Sequence, residues 1–246
     1  MKIILATILF FIISLSGFSQ LFQSDQDYED LMIMKADQSW KKLIIQADKY
    51  TSRNRTKDDA EPYYYLAYGL YKISFIGDRP DEFKNAYKDA LTTVGKMARK
   101  DEDNEIYNKY EDFFIELKLS LLEVIRNEIE SDDYRRAFGW VMKIYKFGRD
   151  NISGKFLEAA CRYRNGDKAT ANSRWREGRE LIDELESTSS WDKADREMIK
   201  FALYESAKAL KESRQQDEAN EIMNLGAQWF EEDKDWQMYY DKIVHY

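Results

Sequence analysis

The sequence predicts an all-α fold, and three observations carry that reading. Apolar residues recur at helical spacing from about Asp25 onward, no stretch keeps a period of two, and only two prolines and ten glycines interrupt 246 residues. β-Turns depend on proline and glycine, whereas helix interiors exclude the first and are weakened by the second, so a chain this poor in both is built from helices joined by polar turns. The composition, 43% apolar and 15% aromatic, supplies a packed core and excludes disorder.

The first residues read as an export signal. Met1-Lys2 gives a positive start, Ile3 to Leu15 is almost wholly apolar, and Ser16, Gly17 and Ser19 are small, which places cleavage near Ser19-Gln20 and a signal peptide over residues 1–19. The apolar run falls short of the roughly 20 residues a membrane-spanning helix needs. No cysteine follows it, so an acylation box is missing and the mature chain is expected to be periplasmic or secreted, with no integral membrane span. The ending Phe18-Ser19-Gln20 resembles that of proteins exported by Bacteroidota. Loss of Lys2 with the signal takes the formal charge from −8 to −9. Whole-chain attraction to nucleic acid or anionic lipid is excluded by that sign.

Ile33, Trp40, Leu43, Ile44 and Ala47 fall at helical spacings and predict one first helix, ended by the polar run Thr51 to Asp59; residues 20–60 form an N-terminal helix and linker. Glu61-Pro62 opens the next helix, where a proline in the first turn loses no hydrogen bond. That helix carries Tyr63, Tyr64, Tyr65, Tyr68 and Tyr71 on several faces, more rings than one buried stripe accommodates. Two readings stand side by side: Tyr64, Tyr68 and Tyr71 pack inside with hydroxyls at the rim, or the rings form a strip facing a ligand.

Residues 61–246 contain an internal repeat. Four segments share a turn followed by a small residue, at Ala86, Ala137, Ala171 and Ala219, with Ala137 and Ala171 separated by 34 positions. Ala137 is followed by Val141 and Ile144, Ala171 by Trp175 and Gly178, and Ala219 by Met223 and Gly226. Phe156, Ala160 and Tyr163 precede a Gly166-Asp167 turn, and Leu203, Ala207 and Leu210 precede the last repeat. These residues resemble the tetratricopeptide repeat family. Spacings of 51 between Ala86 and Ala137 and 48 between Ala171 and Ala219 depart from its period, and its inter-repeat proline is missing. The resemblance implies an all-α right-handed superhelix, a solenoid of antiparallel helix pairs, with Trp236, Tyr239, Tyr240 and Ile243 on a last helix that caps the stack.

Residues for catalysis are scarce. His245 is the only histidine and sits next to the C-terminus, and Cys161 is the only cysteine, placed in a repeat helix with no histidine nearby to activate it. No glycine cluster matches a phosphate loop, and the run Asp101-Glu102-Asp103-Asn104-Glu105 lacks the ligand order and central glycine of a calcium loop, so it reads as a helix start. Among 46 acidic residues no pair is marked for hydrolysis. The chain is therefore expected to be no enzyme and to use no cofactor or metal.

Tetratricopeptide grooves are lined by the first helix of each hairpin. On that resemblance Tyr65, Lys72, Arg126, Arg164, Tyr204, Lys208 and Lys211 line a basic groove within an acidic protein. Such a groove favours a protein or peptide partner with an acidic segment or a C-terminal carboxylate. The function expected is that of a cell-envelope scaffold or adaptor. The alternative is a small-ligand or glycan receptor in which the tyrosines stack on the ligand; an open groove favours the first and a deep closed pocket the second.

Overall fold

The computed structural model describes residues 28–148 and 151–245, so the expected signal peptide lies outside the described residues. Among them every regular element is helical, and twelve α-helices and two short 3-10 turns follow one another. Helix α1 (Glu29–Ala36) and helix α2 (Trp40–Ser52) replace the single first helix expected from the sequence. The break falls at Gln38, whose φ of 54° is left-handed and ends a right-handed helix; Ile33, counted as core, is left exposed on α1.

Helix α3 (Glu61–Ser74) begins with Pro62 in its first turn and packs against α2 on one side and α4 (Ala86–Met97) on another. The short α5 (Glu105–Lys109) starts where the Asp101 carboxylate accepts from the N–H groups of Ile106 and Tyr107 at 3.0 and 2.8 Å, so the acidic run is a helix start. Helix α6 (Glu111–Glu130) pairs with α7 (Tyr134–Val141), and α8 (Ile152–Arg164) with α9 (Lys168–Asp183). Helix α10 (Lys193–Glu212) pairs with α11 (Gln216–Phe230), and α12 (Lys234–Val244) lies on both. Side-chain caps from Asp133, Asn151, Asp167, Asp192 and Asp233 fix where α7, α8, α9, α10 and α12 begin.

The small residues found by repeat matching do what small residues in helix pairs do. Ala137, Ala171 and Ala219 each occupy the fourth position of the second helix of a pair and are fully buried. Ala86 instead opens α4, because a 3-10 turn at Asp81–Phe83 takes up the preceding residues. The long spacings are also explained: α5 is inserted before the 20-residue α6, and α10 is 20 residues as well. Gly166, at φ 89°, makes the turn between α8 and α9 in a conformation that side-chain-bearing residues resist. Trp236 and Ile243 of α12 are buried against the last pair.

Long helix α10 is the centre of the second half, contacting α6, α8, α11 and α12. Its start is pinned to α6 by buried charges: the Lys118 ammonium lies 2.8 Å from both Asp192 and Asp195, and the Tyr107 hydroxyl donates to Asp192 at 2.9 Å. Burial alone would lower the Lys118 pKa, yet Asp195, Tyr107 and Asp192 together hold it above the ordinary lysine range.

Candidate functional site

More of the tyrosine set is buried than a single apolar stripe accommodates. Tyr63, Tyr64, Tyr65 and Tyr71 are all buried, and only Tyr68 is half-buried, because α3 is enclosed by α1, α2, α4 and the aromatic start of α6 instead of having one solvent face. The Tyr64 ring stacks on Tyr110 with centroids 3.6 Å apart and meets Phe113 edge-on.

Where this aromatic layer reaches the surface it forms an open cleft of about 750 Å³, lined by Lys35, Gln38, Trp40, Tyr65, Tyr68, Lys72, Lys109 and Tyr110 with short apolar stretches of α1. Tyr65 is therefore floor, its hydroxyl 3.1 Å from that of Tyr110. Lys72 is rim, its ammonium 2.7 Å from the Glu116 carboxylate of α6, and Lys109 sits 2.9 Å from Glu61. Lys35 differs from both. Its ammonium donates to the Tyr64 hydroxyl at 2.6 Å and lies within 5.3 Å of the Tyr64, Tyr68 and Tyr110 ring centroids, with no carboxylate in ion-pair range among the described residues. Burial, and then the nearby charge of Lys72, lower its pKa.

Four of the other predicted groove residues come together around α10. Arg126 of α6 holds Glu123 at 3.1 Å and lies 5.0 Å from the Phe201 ring. Arg164 of α8 grips Glu212 through Nη1 and lies 5.3 Å from the Tyr134 ring. Tyr204 stacks on Tyr239 of α12 with centroids 4.2 Å apart, and Lys208 stands 3.8 Å from Glu205. Glu205 is 5% exposed, and burial pushes its carboxyl above the usual range despite the opposing charges of Lys208 and Arg164. Lys211 does something else: its ammonium donates to the carbonyls of Lys242 and Ile243 at 2.8 and 2.9 Å and caps the end of α12.

The two groups meet along one face of α6. Glu116, Glu123 and Glu130 are spaced by seven, a helical face, and all are exposed; the first holds Lys72, the second holds Arg126, and the third bears on Glu205. Most of the predicted basic residues are thus already answered by a carboxylate. The exception is the edge of Arg164 formed by Nε and Nη2, which is buried with no acceptor among the described residues, as is Nε of Arg126. Those two N–H groups are the fork with which an arginine holds a carboxylate bidentately.

The residues that carry chemistry elsewhere are constrained. Cys161 is fully buried and its thiol is pushed up to about 12 by burial, then by the Glu205 and Glu158 charges, so it stays a core thiol. His245 is exposed beside Asp241 at 3.9 Å. Asp192 and Asp195 are a largely enclosed acidic pair that the sequence did not mark, but Lys118 pairs with both. Sequence reasoning also missed Lys35, Trp40, Tyr110 and Glu205 as site residues. None lies in a motif, and only the packing of α1, α3 and α5 and of α6 on α10 brings them to a site.

No family model matches the chain, and neither a curated protein nor a solved structure is similar enough to count as a match. No helix among the described residues is long and apolar enough to cross a membrane.

Proposed function

We propose that this protein is a non-catalytic scaffold of the cell envelope, exported by a cleavable signal peptide, that holds an acidic segment of a partner protein on a short solenoid of tetratricopeptide-like helix pairs. The observation that carries the reading is the unanswered edge of Arg164, with Arg126 Nε likewise unanswered and Tyr204 and Lys208 in the same cluster. A partner carboxylate that reaches this edge, beside which the half-buried Tyr134 ring lies, completes the fork. Succession of helix pairs, buried alanines at matching positions and a capping last helix support the solenoid.

The test is co-purification of envelope proteins with the tagged mature chain, wild type against a variant carrying Arg126→Glu, Arg164→Glu and Lys208→Glu. The reading expects a stable partner that is lost in the variant while the helical fold persists, and weakened likewise in Arg164→Lys, which keeps the charge beside Glu212 and removes the fork. A partner set unchanged by the three reversals contradicts it.

A further inference from the structure

We propose that the cleft between α1, α2, α3 and the α5–α6 junction is a second binding site, for an acidic sugar: a uronate unit whose carboxylate meets Lys35. Among the described residues three lysines and no carboxylate line the cleft; Lys72 and Lys109 are paired with Glu116 and Glu61, and Lys35 also borders an adjoining cleft with Glu111, Asp112 and Glu116 but forms no ion pair with them. Among the described residues one uncompensated ammonium remains, that of Lys35, which matches a single carboxylate of the bound ring. Around that ammonium stand ring faces. Trp40 and Tyr68 are 5.8 Å apart at an interplanar angle of 60°, an open corner of two aromatic surfaces on which the C–H face of a sugar ring packs.

The polar groups of the lining choose between acidic ligands. The Tyr110 hydroxyl donates to Glu61 and accepts from that of Tyr65, so this pair offers acceptors, while the Gln38 amide supplies donor and acceptor and the two rim ammonium groups supply donors. A polyhydroxylated ring uses them; a benzoate or a fatty acid leaves them unpaired as it displaces water, which weakens its binding. At about 750 Å³ the cleft lies within the usual range for small-ligand sites. The cleft adjoins the start of the α6 face whose far end carries the partner face centred on Arg164 and Glu205, but the two share no lining residue and are tested separately.

The experiment titrates trigalacturonate into the full mature chain, followed by calorimetry and tryptophan fluorescence, with maltotriose, hexaglutamate and benzoate as comparators. Saturable binding of trigalacturonate is expected, weakened at least about tenfold in Lys35→Gln and in Trp40→Leu. Tyr68→Ala, at a half-buried position, is the second variant should Trp40→Leu melt early. Arg164→Glu is expected to leave the affinity unchanged. Absence of saturable binding, or equal affinity in Lys35→Gln, overturns the proposal. Binding of hexaglutamate or benzoate as tight as that of trigalacturonate overturns the sugar as ligand, and maltotriose binding as tightly overturns the role of the carboxylate.

Discussion

Lys118 of α6 and Asp195 of α10, 77 positions apart, form an ion pair at 2.8 Å in which the lysine is almost completely buried. Asp192 takes the same ammonium from the other side. Truncating the lysine leaves the buried Asp192 carboxylate and the half-buried Asp195 carboxylate with no counter-charge, a loss of up to about 3–5 kcal/mol by the measure of broken buried pairs. Lys118→Met is expected to lower the denaturant midpoint accordingly. Adding Asp195→Asn is expected to recover part of the loss, and a double-mutant cycle reads the coupling between them.

Gly226 of α11 faces Trp236 of α12 so closely that a Cβ would overlap the indole and lie 2.9 Å from Leu203 Cδ1. In a free helix Gly→Ala stabilises by roughly 0.5–1 kcal/mol. Here Gly226→Ala is expected to destabilise by about 1–3 kcal/mol, because the added methyl displaces the buried ring that closes the stack. Thermal unfolding gives the sign directly.

Glu177 is held well down, to about 2, by the hydrogen bond from Lys155 and then by that from Arg174. A carboxylate depressed in the folded state contributes stability that is complete above its unfolded pKa, about 4.3, and is lost as pH falls toward the folded value. Melting curves of Glu177→Gln are expected to lie below those of the wild type at pH 7 and to converge with them near pH 2.

Glu205 has the opposite sign. Burial raises its pKa, so the folded state holds the proton more tightly than the unfolded chain and stability falls as pH rises past the ordinary glutamate range. Glu205→Gln is therefore expected to melt higher than wild type at neutral pH, with the gain shrinking in acid. A lower melting temperature at neutral pH would mean that the Arg164 and Lys208 attraction outweighs the cost of burial.

Much of the fold was legible because local rules and tertiary packing agree. Pro62, Gly166 and the alanines at 137, 171 and 219 act as their residue types dictate, and Trp236 closes the stack. The N-terminal reading failed at Gln38, since a left-handed glutamine leaves no mark in apolar periodicity. The tyrosine helix was misjudged for another reason: amphipathic reasoning assumes one solvent face, and α3 has almost none. Of the predicted groove, Arg126, Arg164, Tyr204 and Lys208 do share a place, because α6 and α8 both pack on α10. Their ion pairs to Glu123, Glu212 and Glu205 depend on side-chain placement that alignment does not carry, and Lys211 was drawn to the end of α12.

The most direct test of the partner face places a photo-crosslinking phenylalanine analogue at Tyr204, and in a second chain at Arg176, which is exposed on α9. The account predicts that the partner is captured from position 204 and not from position 176. Capture from 176 alone would put binding on α9, away from the Arg164 cluster, and contradict it.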